Sequence, residues 1–369
     1  MKNVLAWFRR ETVFTVSLAA AVLSFLLTPP SADTLRAVDA GTLCMLFSLM
    51  TVVAGLRLLG LFDRLSAALA RRVSSLRALS LVLVGCCFFL SMAATNDVAL
   101  LTLVPFTLLM MASAPPSALM LTVALETIAA NLGSMVTPIG NPQNLYLYTS
   151  GALGMADFPR LTWPYALLSL VTLSALTLLV PRTRLDVRTA KTRPVPPSMA
   201  ALYALMGLTA VLGVCKLIPA WATAAVILSL ALLFDRPVLR RVDYTLLGTF
   251  VCFFVFVSGI KGCAAVRAWL EGLMAAQPLL TALLSSQVIS NVPACLLLAP
   301  FTQDAARLML GVNLGGLGTL VASLASLISF KLYAACPGAR KGRYFGLFTL
   351  LNALMLAALL ALCALMGQM

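Results

Sequence analysis

Two short stretches decide how this chain folds: Thr95-Asn96-Asp97, followed by Pro105-Phe106-Thr107, and Ser290-Asn291-Val292, followed by Pro300-Phe301-Thr302. Asn96 and Asn291 lie 195 positions apart, and so do Pro105 and Pro300. Downstream of each stands Asn-Leu-Gly-x-x-x-Thr, at Asn131 to Thr137 and again at Asn313 to Thr319. A chain that interrupts apolar sequence twice with the same polar pattern is built from two related halves. In a membrane protein this points to a secondary transporter whose site lies where the halves meet.

Composition supplies the membrane. Hydrophobic residues make up 61% of the 369 residues and charged residues 10%, with mean hydropathy +1.01. A soluble core cannot absorb that much apolar surface. The net charge of +14 sits between apolar runs rather than along one face, so it reads as loop chemistry and not as a nucleic-acid footprint. The nine cysteines fit no metal spacing and read as small hydrophobes. There is no histidine, which removes the commonest proton shuttle and any Ser-His or Cys-His catalytic pair. Aspartyl proteolysis needs two opposed carboxylates, and no Gly-rich phosphate loop with Lys marks a pump. The chain reads as a non-enzymatic carrier without cofactor.

Apolar runs of spanning length lie near 12–28, 38–60, 117–150, 161–180, 200–217, 220–234, 244–260, 305–333 and 344–367. The first, after Lys2, Arg9 and Arg10, is expected to be an uncleaved span. Two further runs, near 79–112 and 277–302, are split by the polar tips into arms of about 15 residues or fewer, short of the ~20 that cross the hydrocarbon. They are expected to be re-entrant hairpins. With a cytoplasmic N-terminus, each full span crossing and each hairpin returning, 20 of the 26 basic residues fall inside and the C-terminus falls outside. The fold class expected is an all-α polytopic protein of the cytoplasmic membrane with two inverted-topology repeats. These repeats are 1–181 and 199–369, joined by a basic cytoplasmic linker at 182–198.

The chemistry should lie where the helices break. The tips are two such places; the runs Thr137-Pro138-Ile139-Gly140-Asn141-Pro142-Gln143-Asn144 and Asn313-Leu314-Gly315-Gly316-Leu317-Gly318-Thr319 are the others. Broken helices present amide ends to an anion and carbonyl ends to a cation. Substrate is therefore assigned to Thr95, Asn96, Asn141, Asn144, Ser290, Asn291 and Thr319. The coupling ion, Na+ or H+, is assigned to Asp97, Asn96, Thr137, Asn291, Asn313 and Glu126. Asp97 and Glu126 are the acidic residues farthest from a predicted interface, where carboxylates are rare and functional. The Lys and Arg within the predicted spans, Arg57, Lys216, Arg307 and Lys331, stand at their ends, and none lies deep enough to meet an anion, which favours a sodium/proton antiporter as the alternative.

These residues resemble the ion transporter superfamily of arsenite/antimonite permeases, sodium-coupled citrate and dicarboxylate carriers, and one class of sodium/proton antiporters. Thr95-Asn96-Asp97-Val98-Ala99-Leu100-Leu101 and Ser290-Asn291-Val292-Pro293 look like the two hairpins of the arsenite permease branch. Asn131-Leu132-Gly133 through Asn144 is similar to the broken span of bacterial anion permeases in that branch. The resemblance implies a homodimer in the bilayer, each subunit with a scaffold and a transport domain. It implies site roles for Thr95, Asn96, Asp97, Thr137, Asn141, Ser290, Asn291 and Thr319. The dicarboxylate branch has Ser-Asn-Thr at both tips; here Asp97 would repel a dianion unless protonated or covered by a cation. The function expected is ion-coupled transport of a small anion or oxyacid by alternating access; the alternative is a sodium/proton antiporter.

Overall fold

The computed structural model describes residues 11–26, 28–29, 34, 36–61, 64, 68, 73–183, 195–336 and 338–368. Most of the basic linker and the N-terminal basic cluster lie outside them. Among the described residues the chain is helical, with no β-strand. In chain order the helices are α1 (Thr12–Ser24), α2 (Ala40–Leu58), α3 (Leu76–Ala94), α4 (Asn96–Met110), α5 (Pro116–Ser134), α6 (Pro142–Thr149), α7 (Asp157–Leu176) and α8 (Pro197–Val214). They continue as α9 (Ala220–Phe234), α10 (Tyr244–Gly262), α11 (Ala264–Ala276), α12 (Pro278–Ile289), α13 (Asn291–Leu298), α14 (Ala305–Leu314), α15 (Leu324–Ala334) and α16 (Lys341–Leu365). Among the described residues seven helices are long and apolar enough to cross a membrane, or eight if the bent pair α11 and α12 counts as one.

Local chemistry explains the boundaries. The carboxylates of Asp39, Asp243 and Asp304 and the hydroxyl of Ser75 accept the first free amides of α2, α10, α14 and α3. Proline stands in the first turn of α5, α6, α8 and α12, where its missing N–H costs nothing.

α5 is the central post, with Val123 through Ser134 all buried. It packs against α3, α4, α7, α15 and α16. A second cluster joins Val52 of α2 to Tyr203, Met206 and Ala210 of α8 and to Ile227 and Ala231 of α9. α1 lies along α10. Large apolar side chains left exposed, such as Leu23, Val171, Leu208, Leu233 and Leu354, mark outward faces suited to lipid.

Three features depart from the sequence reading. The first interrupted segment has a long arm: α3 is 19 residues, about 28 Å at 1.5 Å per residue, because Ser75 caps it earlier than the apolar run begins. The second has arms of 12 and 8 residues, the latter extended by one tight turn to Phe301. The breaks fall at 135–141 and 315–323, so Pro142, Gln143 and Asn144 open α6 rather than interrupt a helix. Finally, 264–276 forms a helix that no apolar run foretold, bent by 119° from α12. Its Arg267–Glu271 pair and Trp269 are exposed, as in a helix lying along an interface.

Candidate functional site

Both tips are held in backbone that L-residues avoid. Thr95 has φ 66 and ψ 151, and Ser290 has φ 74 and ψ 154. This region is otherwise almost confined to glycine, at a cost of order 1–3 kcal/mol per residue. The surroundings over-determine it identically in both halves. The Asn96 amide donates to the Gly140 carbonyl at 3.0 Å, and the Asn291 amide to the Ala322 carbonyl at 3.0 Å. Thr137 Oγ1 donates to the Met92 carbonyl at 2.5 Å, and Thr319 Oγ1 to the Gln287 carbonyl at 3.3 Å. Each tip is thus tied to the break of its own half.

Two glycines permit this approach. A Cβ on Gly133 would stand 2.1 Å from the Phe88 carbonyl oxygen and 2.6 Å from Ser91 Oγ. A Cβ on Gly315 would stand 2.8 Å from Ser286 Cβ and 2.9 Å from Leu283 Cα. Leu283 and Ser286 lie 195 positions beyond Phe88 and Ser91, so the same contact recurs.

The breaks then bond across the halves. Asn131 Nδ2 donates to Ser326 Oγ at 3.1 Å, and Ser323 Oγ donates to Asn131 Oδ1 at 3.0 Å. In return Asn313 Nδ2 donates to Asn144 Oδ1 at 2.8 Å, and Asn141 Nδ2 donates to Asn313 Oδ1 at 2.9 Å. The offset is 182 in every case: Asn131 to Asn313, Asn141 to Ser323, Asn144 to Ser326. Asn96 Nδ2 also donates to Asn131 Oδ1, at 3.1 Å, which draws the first tip into the same network. Asn96 and Asn291 are therefore linked through Asn131, Ser323 and the neighbouring Ala322.

The N-terminal ends of α4, α6, α13 and α15 and the C-terminal ends of α3, α5, α12 and α14 meet around this network. Partial positive and partial negative charge are thereby placed side by side. Asn141 caps α6, accepting the Asn144 amide at 3.0 Å. Gln143 is 1% exposed, yet neither end of its amide has a partner among the described residues.

A cavity of about 1000 Å³ opens beside the first half. Thr95, Asp97 and Asn141 are among the residues that line it. Asp97 Oδ1 is buried and has no hydrogen-bond partner among the described residues. Ser290, Asn291, Asn313, Asn144 and Thr319 do not line this cavity; Thr319 is exposed and tied to Gln287. Glu126 is fully buried off the cavity, accepting from Thr107 Oγ1 at 2.5 Å, and its other oxygen has no partner among the described residues.

Sequence reasoning missed Ser323, Ser326, Gln287 and Gln143. The serines were legible in principle: they stand 182 positions after Asn141 and Asn144. Gln287, whose Nε2 donates to the carbonyls of Gly315 and Leu317 at 2.7 and 2.8 Å, has no counterpart in the first half, where Met92 stands. It also missed the cations. Arg57, Arg64 and Arg241, placed in loops or at span ends, lie on the cavity wall.

Apolar helices of membrane length around a buried polar centre of helix ends, with a cavity reaching it, make up a membrane transporter. Residues 4–325 match the model of the citrate transporter family. The chain belongs to that family. It is 34% identical to inner membrane protein YbiR of Escherichia coli over 307 residues, 80% of each chain. It is 29% identical to an uncharacterized transporter of Methanocaldococcus jannaschii over 329 residues, 87% of this chain and 89% of that one. A stretch of 143 residues, 38% of this chain and 29% of the other, is 34% identical to the silicon efflux transporter LSI3 of rice.

Proposed function

We propose that this protein is an ion-coupled secondary carrier that moves a small anion or oxyacid across the cytoplasmic membrane by alternating access. The reading rests on one observation above all: the breaks of the two halves bond to each other reciprocally, Asn131 with Ser323 and Ser326, Asn313 with Asn141 and Asn144. A contact in which i meets j' and i' meets j is the mark of a two-fold relation. Placed in the membrane plane, that axis relates two inverted repeats and makes two conformations, open to opposite sides, nearly equal in energy. The charge distribution of the loops supports that placement, with the N-terminus inside and the C-terminus outside.

In this reading α3–α4 and α12–α13 are re-entrant hairpins whose tips close on the solute. Asp97 and the adjacent Asn96 hold Na+ or H+, with Thr137, which ties its break to α3 through the Met92 carbonyl, completing the ion's assignment. Thr95 and Asn141 meet the substrate on the open side, and Ser290, Asn291 and Thr319 take the equivalent part from the other half. The subunit works in a homodimer, as in the wider superfamily. Citrate, which names the family, is a small anion and falls within the class proposed. The test is uptake into proteoliposomes of labelled citrate, succinate, phosphate and arsenite under an imposed sodium or proton gradient. Uptake that follows one gradient is expected. Gradient-driven sodium–proton exchange with no solute moved contradicts carriage and favours an antiporter.

A further inference from the structure

The last turns of α6 and α8 meet beyond the cavity, and each is capped by the other. α6 reaches the cavity with Asn141 and Leu145, at and just after its start, while Tyr148 and Thr149 close its other end. There the Tyr148 hydroxyl donates to the Val214 carbonyl, the last of α8. In return Lys216 Nζ donates to the Tyr148 carbonyl at 3.2 Å and stands 4.5 Å over the Tyr148 ring. Helix C-terminal ends carry partial negative charge and unfilled carbonyls, so the ammonium holds together two ends that would otherwise repel. Lys216 does this from backbone that side chains avoid. α8 closes with the Leu217 amide donating to the Leu212 carbonyl at 3.0 Å, and Lys216, with φ 59, takes the left-handed position where glycine is usual. Among the described residues the non-glycines with positive φ are Thr95, Ser290 and Lys216, and the first two are the hairpin tips. α2 is fastened at the same end: Thr42, in its first turn, gives its proton to Asp39 Oδ2 at 2.6 Å and meets the Thr149 hydroxyl, while later turns of α2 line the cavity.

We propose that Tyr148 and Lys216, with Thr42 and Thr149, form a latch that seals the carrier at the end of α6 remote from the cavity and must release in every transport cycle. The inference rests on the carrier reading and deepens it by naming what holds one face shut. α2, α8 and α9 share a core cluster of their own, whereas α6 also packs on α13 and α14 of the other half. Among the described residues no backbone–backbone hydrogen bond joins α6 to α2 or α8, so the seam opens without loss of secondary structure. What must break is the Lys216 contact, the Tyr148 bond and the meeting of two threonines. A few contacts of this kind bias an equilibrium without fixing it. Left-handed backbone on a residue other than glycine persists where its surroundings over-determine it, and at Lys216 the latch supplies those surroundings.

With the native cysteines replaced, an impermeant maleimide applied to both faces of the protein in nanodiscs reads the latch through L296C, at a buried position, and L101C, in the cavity. K216Q and Y148F should each raise labelling of L296C about tenfold and lower that of L101C, the population shift expected for a lost contact of this class. K216G should do the same with an unfolding midpoint no lower than the parent's, because glycine relaxes the backbone as it frees the latch. Labelling unmoved in all three variants overturns the latch. The Thr42 and Thr149 hydroxyls touch, which places a T42C/T149C pair for a disulfide. Oxidation of that pair should stop transport until the bond is reduced, and undiminished transport by the oxidised protein overturns the latch too. Carriage of none of citrate, succinate, phosphate and arsenite by the unmodified protein refutes the carrier reading and, with it, the latch's part in a cycle; transport with labelling unmoved refutes the latch alone.

Discussion

Asn141 donates to Asn313 at 2.9 Å, a bond between side chains 172 residues apart that joins the broken helix of one half to that of the other. Asn313 returns a bond to Asn144, and Asn131 makes the matching pair with Ser323 and Ser326. Few elements of a helical membrane protein are so economical: four asparagines and two serines hold the breaks, cap a helix and build the polar centre. Each of the four places where helix stops is thus stabilised by another of the four.

That reciprocity sets a first expectation. N141A and N313A should each destabilise the protein by about 1 kcal/mol, in the range measured for buried polar contacts between membrane helices. The double variant should lose less than the sum, because the shared bond is lost once. Thermal unfolding of the four proteins in one detergent reads the cycle; strict additivity would mean the two residues act independently.

Asp97 tests the coupling assignment. D97N keeps the shape of the side chain and the Asn96 Oδ1 contact to the residue-97 amide, now 2.9 Å, while removing the charge. The variant should reach the membrane in normal amount and lose dependence on the sodium or proton gradient. Gradient-driven uptake at the unmodified rate would take the coupling role away from this residue.

Close packing gives a stability prediction with an internal control. In G133A the new methyl would clash with the Phe88 backbone oxygen, so α3 and α5 must separate, at a cost of about 1–3 kcal/mol or more. G85A meets nothing within 4 Å and should be neutral. Monodispersity and unfolding midpoints distinguish the two; equal behaviour would refute the tight crossing.

Glu126 separates a structural contribution from a functional one. E126Q retains an acceptor for the Thr107 hydroxyl and should stay within about 1 kcal/mol of the parent. E126A strands that hydroxyl and opens a void, for about 2–4 kcal/mol. The same unfolding assay decides; indistinguishable midpoints would show that the Thr107 bond contributes nothing.

Much of this was legible because polar residues are expensive in hydrocarbon and stand out against it. Asn96, Asn131, Asn291 and Asn313 announced themselves, and their spacing exposed the repeat. Ser323 and Ser326 did not, since a serine is cheap enough in a membrane helix to carry no signal unless the offset of 182 is followed past Thr319. The length of α3 turned on one cap at Ser75, a local hydrogen bond that hydropathy ignores. α11 was hidden because an amphipathic helix has no apolar run. The arginines escaped for a different reason: Arg57 and Arg241 are 184 residues apart, and only packing brings both to the cavity that reaches Asp97.

Exchange of exposure between the halves is the consequence of the repeat that can be measured most directly. Leu101 lines the open cavity, and Leu296, its counterpart 195 positions on, is 2% exposed. With the native cysteines replaced, L101C and L296C can be probed from either side of the membrane with an impermeant maleimide, with and without the driving gradient and cargo. Leu101→Cys should react only from the cytoplasmic side, and Leu296→Cys only from the opposite side, each rising as the other falls. Labelling of both positions at once in the same state, or a Leu296→Cys that never reacts while transport proceeds, would contradict two halves trading places.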